Sequence, residues 1–125
     1  MKNIFLVGLG GAIGSIARYL LSCFIQIIFS KQFPYSTLTV NIIGSLLIGF
    51  LAAILANYFN RFDEMLKSFL IIGFLGGFTT FSSFSYDTVT LFTNHQYNYA
   101  IINILTNVLF CLIATFSGVY LGKLF

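Results

Sequence analysis

Charge is what this chain most lacks. Of its 125 residues six are Lys or Arg and three are Asp or Glu, so 7% are charged, against roughly 25% in an ordinary soluble domain. A soluble fold of this length cannot hide an apolar content of 58%. With a mean hydropathy of +0.97, lipid is the solvent that fits. Runs of Lys or Arg are also missing, so nothing here neutralises a phosphate backbone, and nucleic acid is excluded as a partner despite the net charge of +3. Cysteine occurs only twice, at Cys23 and Cys111, each inside an apolar stretch. Both are read as small buried hydrophobes rather than as a disulfide or metal site. The single histidine, His95, lies in a polar loop with no Cys, Asp or Glu beside it to complete a metal site. No nucleotide-binding motif or catalytic constellation is visible, so no enzyme activity is expected.

The few charges act as punctuation. None falls between Lys31 and Arg61, none between Lys67 and Asp87, and none between Asp87 and Lys123. A spanning helix needs about 20 mostly apolar residues, so the chain has room for four crossings. They are expected at about 4–29, 37–58, 66–92 and 100–124, as one all-α unit covering 1–125. Polar connections separate them, one of which carries the only proline, Pro34. The basic start could mimic a signal peptide. Arg18 within the first run, the lack of a small-x-small cleavage site and three further apolar segments argue against that. Four crossings put Lys2, Arg61, Lys67 and Lys123 on one side and Lys31 on the other. The positive-inside rule then favours cytoplasmic termini. Small residues recur four apart, at Gly10 and Gly14, Ser45 and Gly49, Gly73 and Gly77, Gly118 and Gly122. That spacing lets helices approach closely in lipid. A packing face on every helix is more than a loose monomer needs, and it implies oligomerisation.

Three places in the crossings carry polar chemistry. Arg18 is a charge inside the first segment, with no acidic residue in segments one, two or four to neutralise it. It either snorkels to an interface or favours an anion nearby. Asn41, early in segment two, either makes an interhelical hydrogen bond or aims a donor into a polar pathway. Segment three holds three glycines and five hydroxyl residues within Gly73–Ser85, a composition that weakens a helix. A break there, near the middle of the crossing, frees carbonyl oxygens, which are hard ligands suited to a small cation. Phe81 and Phe84, three apart, share a face of the resumed helix. They either pack against lipid and neighbours or turn positive ring edges toward a small anion. Asp87 is read as a cap or an interfacial residue.

Taken together, three patterns resemble the Fluc/CrcB family of fluoride channels. They are Gly10-Gly11-Ala12-Ile13-Gly14 with Ala17-Arg18-Tyr19; Thr37-Leu38 with Val40-Asn41 and Gly44; and Gly73-Phe74 with Gly76 through Phe84. The likeness covers nearly the whole chain, and the third pattern is the specific one. It implies a dual-topology channel in which two subunits pack antiparallel in the cell (plasma or inner) membrane and form two fluoride pores. By motif, Phe81 and Phe84 would be the pore phenylalanines, Asn41 the donor linked to them, and Arg18 the vestibule arginine. Thr80, Ser82 and Ser83 would line or brace the polar track. Gly76 and Thr79 would offer backbone carbonyls to a structural sodium ion at the dimer centre. Ser36, Ser83 and Asp87 depart conservatively from the family pattern. Segment four matches poorly, and its Asn103, Thr106, Asn107 and Thr115 are not assigned. The charge bias of four to one departs further, because a subunit that inserts both ways needs little bias. The second subunit is therefore either an identical copy or an oppositely oriented paralogue.

Passive fluoride export, lowering the cytoplasmic concentration, is the leading expectation. A proton-coupled drug exporter needs a membrane-embedded carboxylate. Segment one has none, and Asp87 lies near a segment end. A non-transporting scaffold subunit would explain the small-residue faces but not the hydroxyl and phenylalanine run.

Overall fold

The structure, a computed structural model, describes residues 1–58 and 63–125. Arg61, which the charge count places on the middle loop, lies outside the described residues. The elements are α1 (Lys2–Ile28), α2 (Tyr35–Tyr58), α3 (Asp63–Leu66), a π-helical stretch (Lys67–Leu75), α4 (Gly76–Phe78), α5 (Phe81–Thr93) and α6 (Tyr97–Lys123). Four spans are long and apolar enough to cross a membrane: Lys2–Ile28, Tyr35–Ala56, Glu64–Thr93 and Tyr97–Lys123. The helices α1, α2 and α6 begin two or three residues before the expected positions. Hydropathy finds the apolar run, whereas the helix continues into interfacial residues such as Tyr35, Tyr97 and Asn98. The third crossing is broken near its middle, as expected.

Two glycine seams hold the bundle. Along one, α1 lies against the π-helical stretch and α4; along the other, α2 lies against α6. A Cβ at Gly14 would strike the Phe74 carbonyl, and one at Gly118 would strike the Leu46 carbonyl, so both seams require backbone-to-backbone approach. In lipid this close packing is what holds helices together. These seams use the paired glycines of the first, third and fourth crossings, with Gly49 of the second, inside one protomer. The sequence argument from small residues to oligomerisation therefore does not hold, because the faces are already occupied.

The core is narrow, with Val40, Leu75 and Asn103 its largest fully buried side chains. Large apolar side chains cover the outside of α1 and α6, among them Ile16, Leu20, Ile113 and Phe116. That surface suits lipid contact. Cys23 belongs to it, being free and exposed, while Cys111 is free and half-buried. Burial was expected of both. An apolar neighbourhood does not imply it when the solvent is itself apolar.

Candidate functional site

The break falls at two threonines. Thr79 (φ −77°, ψ 159°) and Thr80 (φ −153°, ψ 109°) are extended, while Gly76 keeps helical angles (φ −63°, ψ −36°). The break expected within Gly73–Ser85 thus falls at Thr79 and Thr80. Branching at Cβ favours extended backbone in threonine. Gly77 instead serves packing, since a Cβ there would come within 3.0 Å of the Gly11 Cα. Gly44 of α2 makes room for the Thr79 methyl, which a side chain at that position would strike.

Both sides of the break are capped. The Thr79 N–H still donates to the Leu75 carbonyl at 2.9 Å, and its hydroxyl donates there at 2.8 Å. Thr80 is the N-cap of α5: its Oγ1 accepts from the Ser83 N–H at 3.1 Å. The Thr80 hydroxyl then donates to Ser83 Oγ at 2.9 Å and lies 3.3 Å from Ser82 Oγ.

Asn41 replaces the missing rung of the helix. In a continuous helix the Thr80 N–H would bond the Gly76 carbonyl. Here it donates to Asn41 Oδ1 at 2.9 Å, and Asn41 Nδ2 donates to the Thr80 carbonyl at 3.1 Å. The second Nδ2 hydrogen goes to Asn107 Oδ1, also at 3.1 Å. Both amide hydrogens of Asn41 are therefore committed within the protomer. Asn107 Nδ2 donates to the Asn103 side chain at 2.9 Å and to its carbonyl at 3.1 Å; Asn103 Nδ2 donates to Thr88 Oγ1 at 2.9 Å. A buried ladder of amides thus ties α2, α6 and α5 to the break. The residues of α6 that the sequence pattern left unassigned resolve here. Asn103 and Asn107 are buried in the ladder, whereas the hydroxyls of Thr106 and Thr115 bond carbonyls of their own helix. Two asparagines one helical turn apart in an apolar segment were the signal for the ladder.

Arg18 reaches the break from α1. Its Nη1 donates to the Thr79 carbonyl at 3.3 Å, and Ser15 Oγ donates to the Gly77 carbonyl at 3.5 Å. Arg18 thus points inward to a backbone acceptor. The Gly76 carbonyl has lost its helical donor to Asn41, and among the described residues no other donor reaches it or the Phe78 carbonyl.

Phe81 and Phe84 touch edge to face, with centroids 5.3 Å apart and planes at 62°. They share a face as expected, but unequally, for Phe84 is 8% exposed and Phe81 is 77% exposed. Ser82 and Ser83 are also exposed. Asp87 caps no helix. It lies within α5 and accepts a 2.7 Å hydrogen bond from Thr37 Oγ1.

Two cavities adjoin here. The inner one, about 280 Å³, is lined by Ser15, Arg18, Thr37, Thr80 and Ser83 among others. The outer one, about 710 Å³, opens beneath the connection between α1 and α2 and reaches Asp87. Ser22, Thr37 and Ser83 line both. A polar route therefore runs from the surface to the broken crossing.

Four apolar crossings, one interrupted at mid-depth and laced to its neighbours by amides, define a multi-pass membrane protein with an internal polar route. Residues 5–119 match the family described as CrcB-like protein, Camphor Resistance (CrcB), and the chain belongs to that family. It is 44% identical to the fluoride-specific ion channel FluC of Elusimicrobium minutum (strain Pei191), over 99% of this chain and 96% of that one. It is 46% identical to the FluC of Agrobacterium fabrum (strain C58) over 98% of each chain. With the FluC of Campylobacter fetus subsp. fetus (strain 82-40) it shares 44% identity, over 97% of this chain and 94% of that one. All three relatives bear the name of an ion channel rather than an enzyme.

Proposed function

We propose that this protein is a subunit of a fluoride-selective channel that passively exports fluoride across the cell (plasma or inner) membrane and lowers its cytoplasmic concentration. The observation that carries this reading is the exposed polar strip of chain at the break, midway along the third crossing. It holds the Gly76 carbonyl that has lost its helical donor, the exposed Ser82 and Ser83, and the exposed Phe81 ring. Unsatisfied polar backbone in lipid costs several kcal/mol, so this strip belongs against water or another subunit.

The electrostatics fit an anion on one side of the break. Arg18 brings a positive charge whose partner is a neutral carbonyl, and the N-terminus of α5 adds a partial positive charge at the same level. Ser83, Thr80 and the adjoining hydroxyls supply acceptor-donor stepping points, and the ring edges of Phe81 and Phe84 supply positive quadrupole. Ser82 braces the Thr80 cap at the top of this track. Asn41, with both hydrogens committed, acts by holding the Thr80 backbone in place rather than by donating to the ion.

The opposite side of the break fits a cation. The carbonyl end of a helix is partially negative, and neutral carbonyl oxygens suit a hard monovalent ion. Gly76 and Thr79 would hold a structural sodium ion shared with the same residues of a second, antiparallel subunit, which would also cover Phe81. That ion would neutralise carbonyl dipoles at the dimer centre. The Thr79 carbonyl would then serve sodium and Arg18 together.

The function is tested in liposomes reconstituted with purified protein. Fluoride is expected to leave rapidly and chloride hardly at all, and well-folded protein without fluoride efflux would sink the reading. The pairing is tested with a C-terminal tag probed from each side of the membrane. Labelling from both sides is expected of an antiparallel pair of identical subunits. A single orientation leaves only a heterodimer with a paralogue. Subunit association is expected to weaken when sodium is replaced by N-methylglucamine, and unchanged association would remove the ion from the design.

A further inference from the structure

The outer cavity of about 710 Å³ has two charged groups in its lining, Lys31 from the connection between α1 and α2 and Asp87 from α5; Tyr35 and Tyr86 are its other titratable residues. An anion passing between the surface and Ser83 crosses this cavity, because Ser83 and Thr37 belong to both its wall and that of the inner cavity holding Arg18. The carboxylate at the floor opposes that passage. Thr37 hydrogen-bonds Asp87 at 2.7 Å, but a hydroxyl leaves its charge in place. Gln26, Gln32 and Ser30 add polarity to the rim without charge. One residue balances the carboxylate in this wall, and it is Lys31, exposed on its tether.

We infer that Lys31 is the access-controlling residue of this mouth: its ammonium cancels the fixed negative charge of Asp87 and sets how readily a small anion enters the cavity. The inference rests on the channel reading above. Removing the lysine leaves the mouth with a net charge of −1, and replacing it by glutamate leaves −2. In water, one unit charge at a distance on the order of 10 Å changes local anion concentration about twofold when salt is low, and screening removes the effect at high salt. Lys31 acts on access, so it alters the rate at which fluoride is captured and leaves the choice between fluoride and chloride to the inner residues.

The test measures fluoride efflux from liposomes holding the whole protein, at fluoride concentrations below saturation, with an impermeant salt setting the ionic strength. Lys31→Gln is expected to slow efflux about twofold and Lys31→Glu about fourfold at low ionic strength, with both converging on the unaltered rate at high ionic strength. Lys31→Arg, which keeps the charge, restores the unaltered rate. Either of two results overturns the inference while the channel reading stands: Lys31→Glu matching the unaltered protein at low salt, or a loss of equal size at low and high salt. Absence of fluoride efflux from the unaltered protein overturns the channel reading itself, and this inference with it.

Discussion

Replacing Asn41 by leucine is expected to cost the protein at least ~2 kcal/mol of stability and to reduce fluoride flux by more than tenfold. The substitution removes three hydrogen bonds at once, two with the Thr80 backbone and one with Asn107. Thr80 and Asn107 are both buried, at 8% and 5% exposure, so water cannot replace the lost partner. Counted as unsatisfied buried groups in a soluble protein, the three would cost about 1–3 kcal/mol each. Interhelical hydrogen bonds measured within membranes average nearer 0.6 kcal/mol, which gives about 2 kcal/mol for three and sets the lower bound. Flux suffers beyond this, because an extended pair of threonines without its clasp is free to rejoin the helix or shift register. Thermal unfolding in detergent and liposome efflux check the two parts. Leucine at position 41 with both quantities near those of the unaltered protein would refute the clasp.

A companion substitution separates positioning from direct donation. Asn107→Leu frees one Nδ2 hydrogen of Asn41. If Asn41 served the ion directly, the freed donor would maintain or raise flux. If it holds the break, flux falls, because the amide ladder that orients it has lost its next member.

Asn41 also marks how far this sequence could be read. Long charge-free runs exposed the four crossings, since length and apolarity are all that lipid demands. The unrest in the third crossing was equally plain in Gly76-Gly77 followed by hydroxyl residues. Its exact place was not, because adjacent glycines suggest bending, while here Gly77 permits close approach to α1 and the chain extends at the two threonines that follow. The π-helical winding of Lys67–Leu75 has no local composition that announces it. The clasp itself joins residues 39 positions apart in sequence, and its continuation to Asn107 spans 66. Neither distance is encoded by periodicity, which places a residue on a face but does not name what that face meets. For the same reason the small-residue faces were visible while their partners, which lie within the protomer, were not.

The phenylalanine pair offers the second large effect, and the difference in exposure makes it unusually clean. Phe84 is buried against its surroundings, whereas Phe81 leaves 77% of its surface open in the single protomer. Their edge-to-face contact, with centroids at 5.3 Å, accounts for about 0.5–1.5 kcal/mol in such pairs. Phe84→Ile therefore disturbs both packing and any ring-edge contact with an ion, and a loss of flux in that variant is ambiguous. Phe81→Ile is not. It keeps apolar bulk, loses within the protomer chiefly the contact with Phe84, and deletes a ring edge. If Phe81 faces lipid, isoleucine is an equally good lipid neighbour, and flux stays unchanged. If the second subunit closes over Phe81 and the ring lines the ion's route, fluoride flux falls by about tenfold, the equivalent of roughly 1.4 kcal/mol, while thermal stability moves little. Efflux and unfolding measured on the same preparation decide between the two, and a flux as high as that of the unaltered protein would return Phe81 to the lipid-facing surface.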